Sequence, residues 1–209
     1  MISDVAKSYA NPKSKGAVMA LRHRKADLET LELARDLVRH QARGGIVELM
    51  TGVSKQVVQE IYERTHGARP PGGPLPNRIG GWLQRKTAYR VPAQHFINCL
   101  YREMGEDMYN NLDMRKLVKA YEAYLATNTN ENVIGISHCW CLARDIQHQI
   151  EIRVRPCGCC GSLYPWTITP RNEVCWSCDE IKERTGLKLT VARNPATRSR
   201  PQAAATATA

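Results

Sequence analysis

Five of the chain's eight cysteines lie in one 24-residue segment, RPCGCCGSLYPWTITPRNEVCWSC, which runs from Arg155 to Cys178. Two residues separate Cys157 from Cys160, two separate Cys175 from Cys178, and 14 residues lie between the pairs. A C-x-x-C pair places two thiolates on one tight turn, and two such pairs can surround one metal ion tetrahedrally. The spacer is slightly short for a zinc ribbon, but LYPWTITP within it could form a hairpin. The spacing therefore predicts one structural zinc ion per chain.

Cys159 offers an alternative pairing with Cys157, because one residue separates them. Gly161 follows Cys160, and a glycine at this point lets the chain turn so that its amides face the sulfurs. We therefore expect Cys157 and Cys160 to bind the metal and Cys159 to remain outside the site. Four thiolates form a closed site, which favours a structural role. A redox C-x-x-C, a disulfide pair and an iron–sulfur cluster are the alternatives.

Other potential ligands lie in segments with helical periodicity. The segment SHCWCLARD, residues 137–145, contains one histidine and two cysteines. Cys141 fits the apolar face of this helix, and Cys99 fits that of another, so both are expected to be core residues. His40 and His95 are expected to be ordinary surface or helix-end histidines.

The chain is strongly basic, with a formal net charge of +10 and a pI of about 9.4. Such a charge favours an anionic partner such as DNA, RNA or a membrane surface. The sequence has no apolar run of about 18 residues, which is the length of a membrane span. Its N-terminus also lacks the apolar core of a signal peptide. We therefore expect a cytoplasmic protein without a membrane partner, with thiols kept reduced.

Both ends of the chain are predicted to lie outside the folded part. Residues 1–26 are predicted to form a mobile basic arm, and residues 191–209 a disordered tail of low complexity. The arm contains a single acid, Asp4, and six lysines and arginines: Lys7, Lys13, Lys15, Arg22, Arg24 and Lys25. Such an arm would strengthen phosphate binding without sequence selectivity.

Between these ends, apolar periodicity predicts a mainly α fold. Residues 27–150 are expected to form a helical domain, and residues 151–190 a small C-terminal module that is zinc-ribbon-like and has four cysteine ligands. The predicted helices include one from about Asp27 to His40, one starting at Ala93, one around residues 114–125 and one over residues 133–150. The segment ARPPGGPLPNRIGG, residues 68–81, contains four prolines and four glycines and is predicted to be an extended loop that cannot be helical.

The segment GIVELMTGVSKQVVQEIYERTHG predicts a helix-turn-helix over about residues 44–66. Gly52 can adopt the positive φ of a helix C-cap, and Ser54 is a favourable N-cap for the second helix. Val47, Val53, Val58 and Ile61 have the spacing needed to pack the two helices together. Glu48 departs from the pattern, because a small residue usually allows close helix contact there.

The second helix of such a motif normally lies in the DNA major groove. Its predicted groove-facing residues are Lys55, Gln56, Gln59 and Glu63. Glutamine can pair with adenine, and glutamate can accept from cytosine N4. Lys55 and Arg64 are predicted to hold phosphates.

Three stretches of the sequence resemble the FlhC family, whose members are subunits of the bacterial flagellar transcriptional activator, and they occur in the same order as in that family. They are the helix-turn-helix-like segment, the following ARPPGGPLP and the cysteine cluster CGCCGSLY…CWSC. The resemblance implies a mainly helical protein that binds promoter DNA, assembles with an FlhD-type subunit and activates flagellar genes through RNA polymerase. It also implies zinc bound by Cys157, Cys160, Cys175 and Cys178.

Other functional classes remain as alternatives. A zinc-ribbon adaptor would bind protein without sequence-specific DNA contact. An RNA-binding protein would need exposed aromatic residues for stacking, yet aromatic residues are 6% of the chain. An enzyme is not expected, because the sequence contains no P-loop, nucleophile–base pattern or open metal site.

Overall fold

The computed structural model describes residues 28–74, 78–149, 151–168 and 174–187. The predicted basic arm of residues 1–26 and the predicted tail of residues 191–209 lie outside these ranges. The described residues confirm the mainly α prediction. Their helices are α1 (Leu28–Arg39), α2 (Gly44–Thr51), α3 (Lys55–His66), α4 (Ile79–Arg85), α5 (Arg90–Met104), α6 (Met114–Thr127), α7 (Ile136–His148) and α8 (Trp176–Thr185).

The first three helices pack together because each presents an apolar stripe to the same core. α1 buries Leu37 and Val38, α2 buries Val47, and α3 buries Val58 and Tyr62. The core of the chain continues through α5, α6 and α7, and α5 packs most extensively against α6. None of the helices in the described ranges is long and apolar enough to span a membrane.

Helix α4 corrects the prediction that residues 68–81 cannot be helical. The helix begins at Ile79 and includes Gly80 and Gly81. Ile79 is buried, and its backbone N–H donates to the Asp145 carboxylate at 3.1 Å. Gly80 packs near Glu151 and Ile168, at distances that ordinary van der Waals contact would give a β-carbon there. These tertiary contacts outweigh the low helix propensity of glycine.

Two other helix boundaries differ from the predictions. α5 begins at Arg90, three residues before Ala93, and contains Pro92 in its first turn. Proline is tolerated there because the first helical N–H groups have no intrahelical partner. α7 begins at Ile136 rather than at residue 133.

The C-terminal part contains a two-stranded antiparallel sheet, and this corrects the predicted position of the hairpin. β1 (Val154–Pro156) pairs with β2 (Leu163–Pro165), with Arg155 opposite Tyr164. The turn between the strands therefore carries the first C-x-x-C pair; β2 lies between the two pairs, within the predicted segment, whereas β1 precedes the first pair. The second pair lies at the start of α8, a helix that the sequence did not predict.

Candidate functional site

The candidate metal centre consists of four cysteine sulfurs that lie within 4.8 Å of one another. They belong to Cys157, Cys160, Cys175 and Cys178, the residues selected by spacing. Three of these cysteines are buried, whereas Cys160 is exposed. The sulfurs of Cys160 and Cys175, which come from different pairs, are 3.5 Å apart.

A tight turn after β1 positions the first pair. The backbone N–H of Cys157 donates to the Ser162 carbonyl at 2.9 Å, and the N–H of Gly161 donates to the Cys157 carbonyl at 2.9 Å. Gly161 has φ +75°, a conformation that glycine adopts without steric cost. The positive φ at this position therefore explains why a glycine follows Cys160.

The first turn of α8 positions the second pair. Cys175 is the N-cap residue of this helix, and Cys178 lies one turn later. The N–H of Asp179 donates to the Cys175 carbonyl at 2.9 Å, which closes that turn. Trp176 between the two cysteines is buried in the main core and so anchors the start of the helix.

Backbone amides point at the sulfur of Cys157. The N–H of Cys175 lies 3.3 Å from this sulfur, and the N–H of Cys159 lies 3.4 Å from it. Such donors stabilise a thiolate, and they occur as the outer layer of metal–sulfur sites. Cys159 thus supports the site through its backbone amide, while its own sulfur is not one of the four.

Burial makes full ionisation of the cluster unfavourable. It raises the pKa of Cys175 to about 11, and it also raises the pKa of Cys178. Burial acts on Cys160 in the same direction, but hydrogen bonds with Ser162, Cys178 and Cys175 together outweigh it and lower the pKa of Cys160 to about 7. Four thiolates in this volume therefore require a cation that compensates their charge.

The sulfur separations fit a tetrahedral thiolate site. Zinc–sulfur bonds of about 2.3 Å imply sulfur–sulfur separations of about 3.8 Å in a regular tetrahedron. The 3.5 Å separation of Cys160 and Cys175 and the 4.8 Å upper limit for the set bracket this value. The four residues could therefore hold a metal ion.

Two amide side chains on α5 attach the cysteine cluster to the helical core. The Asn98 amide donates to the Leu163 carbonyl at 2.9 Å, and its oxygen accepts from the Leu163 N–H at 2.9 Å. The oxygen of buried Gln94 accepts from the Ser177 N–H at 3.2 Å, and its side chain also hydrogen-bonds Cys175. Sequence reasoning missed both residues; the available signal was two amides one turn apart on a largely apolar helix.

The second candidate site is the helix-turn-helix. Gly52 ends α2 with φ +69°, and its N–H donates to the Glu48 carbonyl at 2.9 Å. Ser54 occupies the N-cap position of α3, but its side chain makes no capping hydrogen bond. Val53 and Val58 are buried in the core, whereas Ile61 is only partly buried.

Tyr62 contributes a tertiary contact that the helix pattern did not reveal. Its hydroxyl donates to the Ala42 carbonyl in the connection between α1 and α2. Burial raises the pKa of Tyr62 to about 12. His66 at the end of α3 also lies 2.7 Å from the Val38 carbonyl. α3 is therefore fixed to α1 as well as to α2.

The five predicted DNA-contacting residues all lie on α3. Four are exposed and the fifth, Gln59, is half-buried: the exposed residues are Lys55, Gln56, Glu63 and Arg64. Gln59 and Lys55 line a cleft between α3 and residues 69–73, here called the proline-rich segment. That segment reaches α2, since a β-carbon on Gly44 would lie 3.3 Å from Pro70.

Three further cysteines and two further histidines have other surroundings in the described structure. Cys99, Cys139 and Cys141 are buried in the core. His40 lies 3.1 Å from a carboxylate oxygen of Glu122, and His95 lies 2.8 Å from the Thr127 hydroxyl.

Comparison with known proteins identifies similar chains. A family model described as flagellar transcriptional activator (FlhC) matches residues 19–186. The flagellar transcriptional regulator FlhC of Nitrosomonas eutropha is 27% identical over 165 residues, which cover 75% of this chain and 81% of the relative. That of Sodalis glossinidius is 28% identical over 160 residues, covering 71% and 76%. That of Pectobacterium carotovorum is 21% identical over 173 residues, covering 80% and 87%. All three relatives are named as transcriptional regulators.

Proposed function

The chain belongs to the FlhC family of flagellar transcriptional activators, and from that premise we propose that it is the DNA-binding subunit of such an activator. It binds double-stranded promoter DNA of flagellar genes together with an FlhD-type subunit in a hetero-oligomer. The complex then activates transcription by RNA polymerase in the cytoplasm. The observation that carries this proposal is the α2–Gly52–α3 unit, whose second helix presents Gln56 and Glu63 to solvent.

The proposed DNA contacts follow from the chemistry of α3. Gln56, Gln59 and Glu63 read base edges in the major groove, since their amide and carboxylate groups match the donors and acceptors of adenine and cytosine. Lys55 and Arg64 contact phosphates, which position the helix without reading sequence.

We further propose that Cys157, Cys160, Cys175 and Cys178 hold one structural zinc ion per chain. When bound, zinc supplies a cross-link between the β1–β2 turn and the start of α8. The donor set is all sulfur, and backbone amides from Cys159 and Cys175 support it. The small C-terminal segment has little core of its own around the cysteines, so a metal would contribute strongly to its folding.

A protein-binding adaptor is the second candidate. Glu60 and Glu63 are exposed on α3 and reduce the attraction of this helix for DNA. An adaptor would retain zinc and partner binding but would show no sequence-dependent DNA affinity.

A gel-shift titration distinguishes the two functions. The full-length chain is mixed with flagellar promoter duplex or a shuffled duplex, with and without an FlhD-type partner, and zinc is counted in the same sample. Preference for the promoter duplex in the presence of the partner, with about one zinc per chain, supports the activator subunit. Equal affinity for both duplexes, with zinc and partner binding intact, supports the adaptor.

A further inference from the structure

The charge on α3 leaves the source of DNA affinity unexplained. Glu60 and Glu63 are exposed on this helix, and both repel phosphate. Non-specific affinity for duplex DNA comes from cations that neutralise phosphates. Besides the basic arm predicted for residues 1–26, structure that flanks the helix offers cations for this role.

One flank is a cleft between α1 and α3 with a volume of about 250 Å³. Arg35 and Arg39, one turn apart on α1, line it together with Arg64 on α3. Asp36 pairs with Arg39 at 3.0 Å. Within the part of the chain that the structure describes, neither Arg35 nor Arg64 has a carboxylate partner. Among the described residues, the lining of this cleft contains three arginines and no acidic side chain, since Asp36 lies outside it, and this charge distribution favours an anion.

The other flank is a cleft of about 470 Å³ between α3 and the proline-rich segment. Lys55 and Arg69 line it, and Glu48 is the acidic residue in its wall. The guanidinium of Arg43 donates to the Gly73 carbonyl at 2.8 Å and to the Pro74 carbonyl, so it fixes the segment that carries Arg69.

These two flanks lie on opposite sides of the proposed recognition helix. Lys55 and Arg64 are nine positions apart, which is about two and a half helical turns. Gln56 and Glu63 therefore project between them. An α-helix with its side chains is about 10–12 Å wide, and a major groove of about 12 Å is bordered by two phosphate strands. Basic groups on both sides of such a helix are positioned to reach both strands.

We propose that Arg35, Arg39 and Arg64 contact phosphates of one DNA strand, while Lys55 and Arg69 contact phosphates of the other. This inference rests on the proposed function and adds α1 and the proline-rich segment to the DNA interface. Arg35, Arg39 and Arg69 are the new contacts. Arg43 is a positioning residue that acts by holding the loop.

The test measures how DNA affinity depends on salt. Promoter affinity is determined over a series of KCl concentrations for the complex of the full chain with its FlhD-type partner. The variants are the double substitution Arg35→Gln/Arg39→Gln and the single substitution Arg69→Gln. Arg102→Gln, an exposed arginine on α5, is the matched control. Thermal melting verifies that each variant folds.

Each lost phosphate contact lowers the slope of log affinity against log salt by about 0.9. The expected decrease per bound copy of the chain is therefore about 1.8 for the double variant and about 0.9 for Arg69→Gln. Base preference and the slope of Arg102→Gln should match the wild type. A wild-type slope in both flank variants, with promoter preference intact, overturns the inference alone. Absence of promoter preference in the wild type overturns the proposed function and this placement of DNA with it.

Discussion

The side chain of Asn98 pairs with the backbone of Leu163 as a neighbouring β-strand would. Its amide donates to the Leu163 carbonyl, its oxygen accepts from the Leu163 N–H, and both distances are 2.9 Å. The amide also donates to the Gln94 carbonyl at 2.8 Å, which orients the side chain on α5. One residue of a helix thereby attaches the strand that follows the first cysteine pair to the core.

Replacement of Asn98 by leucine should detach β2 from α5. The change removes both hydrogen bonds and leaves the N–H and C=O of Leu163 without these partners, at an expected cost of about 2–3 kcal/mol in unfolding free energy. Urea unfolding measures the cost, and amide hydrogen exchange at Leu163 measures the local effect. Arg102→Leu, one turn later on the same helix, is the control. Equal stability and equal Leu163 protection in the two variants would contradict the proposed attachment.

Gln94, which lies outside the cysteine segment, should increase the zinc affinity of the metal centre. It accepts from the Ser177 N–H and hydrogen-bonds Cys175, so Gln94→Leu removes outer-layer support from one proposed ligand. We expect zinc affinity to fall by about 10- to 100-fold, as for other outer-layer substitutions. Competition with a chelating dye measures this change. Gln147→Leu, on α7, controls for loss of a glutamine hydrogen bond elsewhere; the same affinity in both variants would argue against this role.

The neighbouring residues Cys159 and Cys160 should differ in their effect on zinc content. Cys160→Ser removes one of the four clustered sulfurs, whereas Cys159→Ser leaves all four and retains the backbone N–H that points at Cys157. Elemental analysis of the purified chain should give about one zinc for Cys159→Ser and clearly less for Cys160→Ser. The reverse order would assign Cys159 as the ligand.

Tyr62 should make stability depend on pH in the alkaline range. Burial raises its pKa in the folded chain to about 12, above the ordinary value of 10.0. The fold therefore favours the neutral phenol over the phenolate. The resulting contribution to the unfolding free energy is fully present below pH 10 and is lost as pH rises through 12. This shift in pKa corresponds to about 2–3 kcal/mol of unfolding free energy. Tyr62→Phe also removes the donor to the Ala42 carbonyl, so wild type should be more stable at pH 8.

Urea unfolding at intervals from pH 8 to pH 12 tests this prediction. The stability advantage of wild type over Tyr62→Phe should shrink as pH rises, because only the wild type has a proton to lose at this position. An advantage that stays constant across the range would show that Tyr62 has the same pKa in the folded and unfolded chain.

Local sequence patterns were enough to predict the elements that are stabilised by interactions between residues close in sequence. The apolar repeat of α1 and the turn residue Gly52 both act within a few positions, and the structure contains the corresponding helices. The two C-x-x-C pairs are local in the same sense, since each pair lies on one turn. Their spacing was enough to select the four sulfurs that come together.

Features held by distant contacts were not predictable from local patterns. Helix α4 begins with Ile79-Gly80-Gly81, a poor helix sequence that is stabilised by Asp145, 66 positions away. Asn98 contacts Leu163 across 65 positions, and Gln94 contacts Ser177 across 83. No periodicity reports a pairing over such distances, so the attachment of the cysteine cluster to α5 emerges only from the three-dimensional structure.

Site selection from a randomised duplex pool determines whether α3 reads DNA sequence. The selections use the wild-type complex, the Gln56→Ala and Gln59→Ala complexes, and a control with Lys119→Ala on α6. Loss of a bidentate adenine contact should relax preference at one position by about 1–3 kcal/mol in each glutamine variant, with the rest of the site unchanged. Selected sites identical to those of the wild type, with affinity lowered equally for all sequences, would contradict base reading by α3.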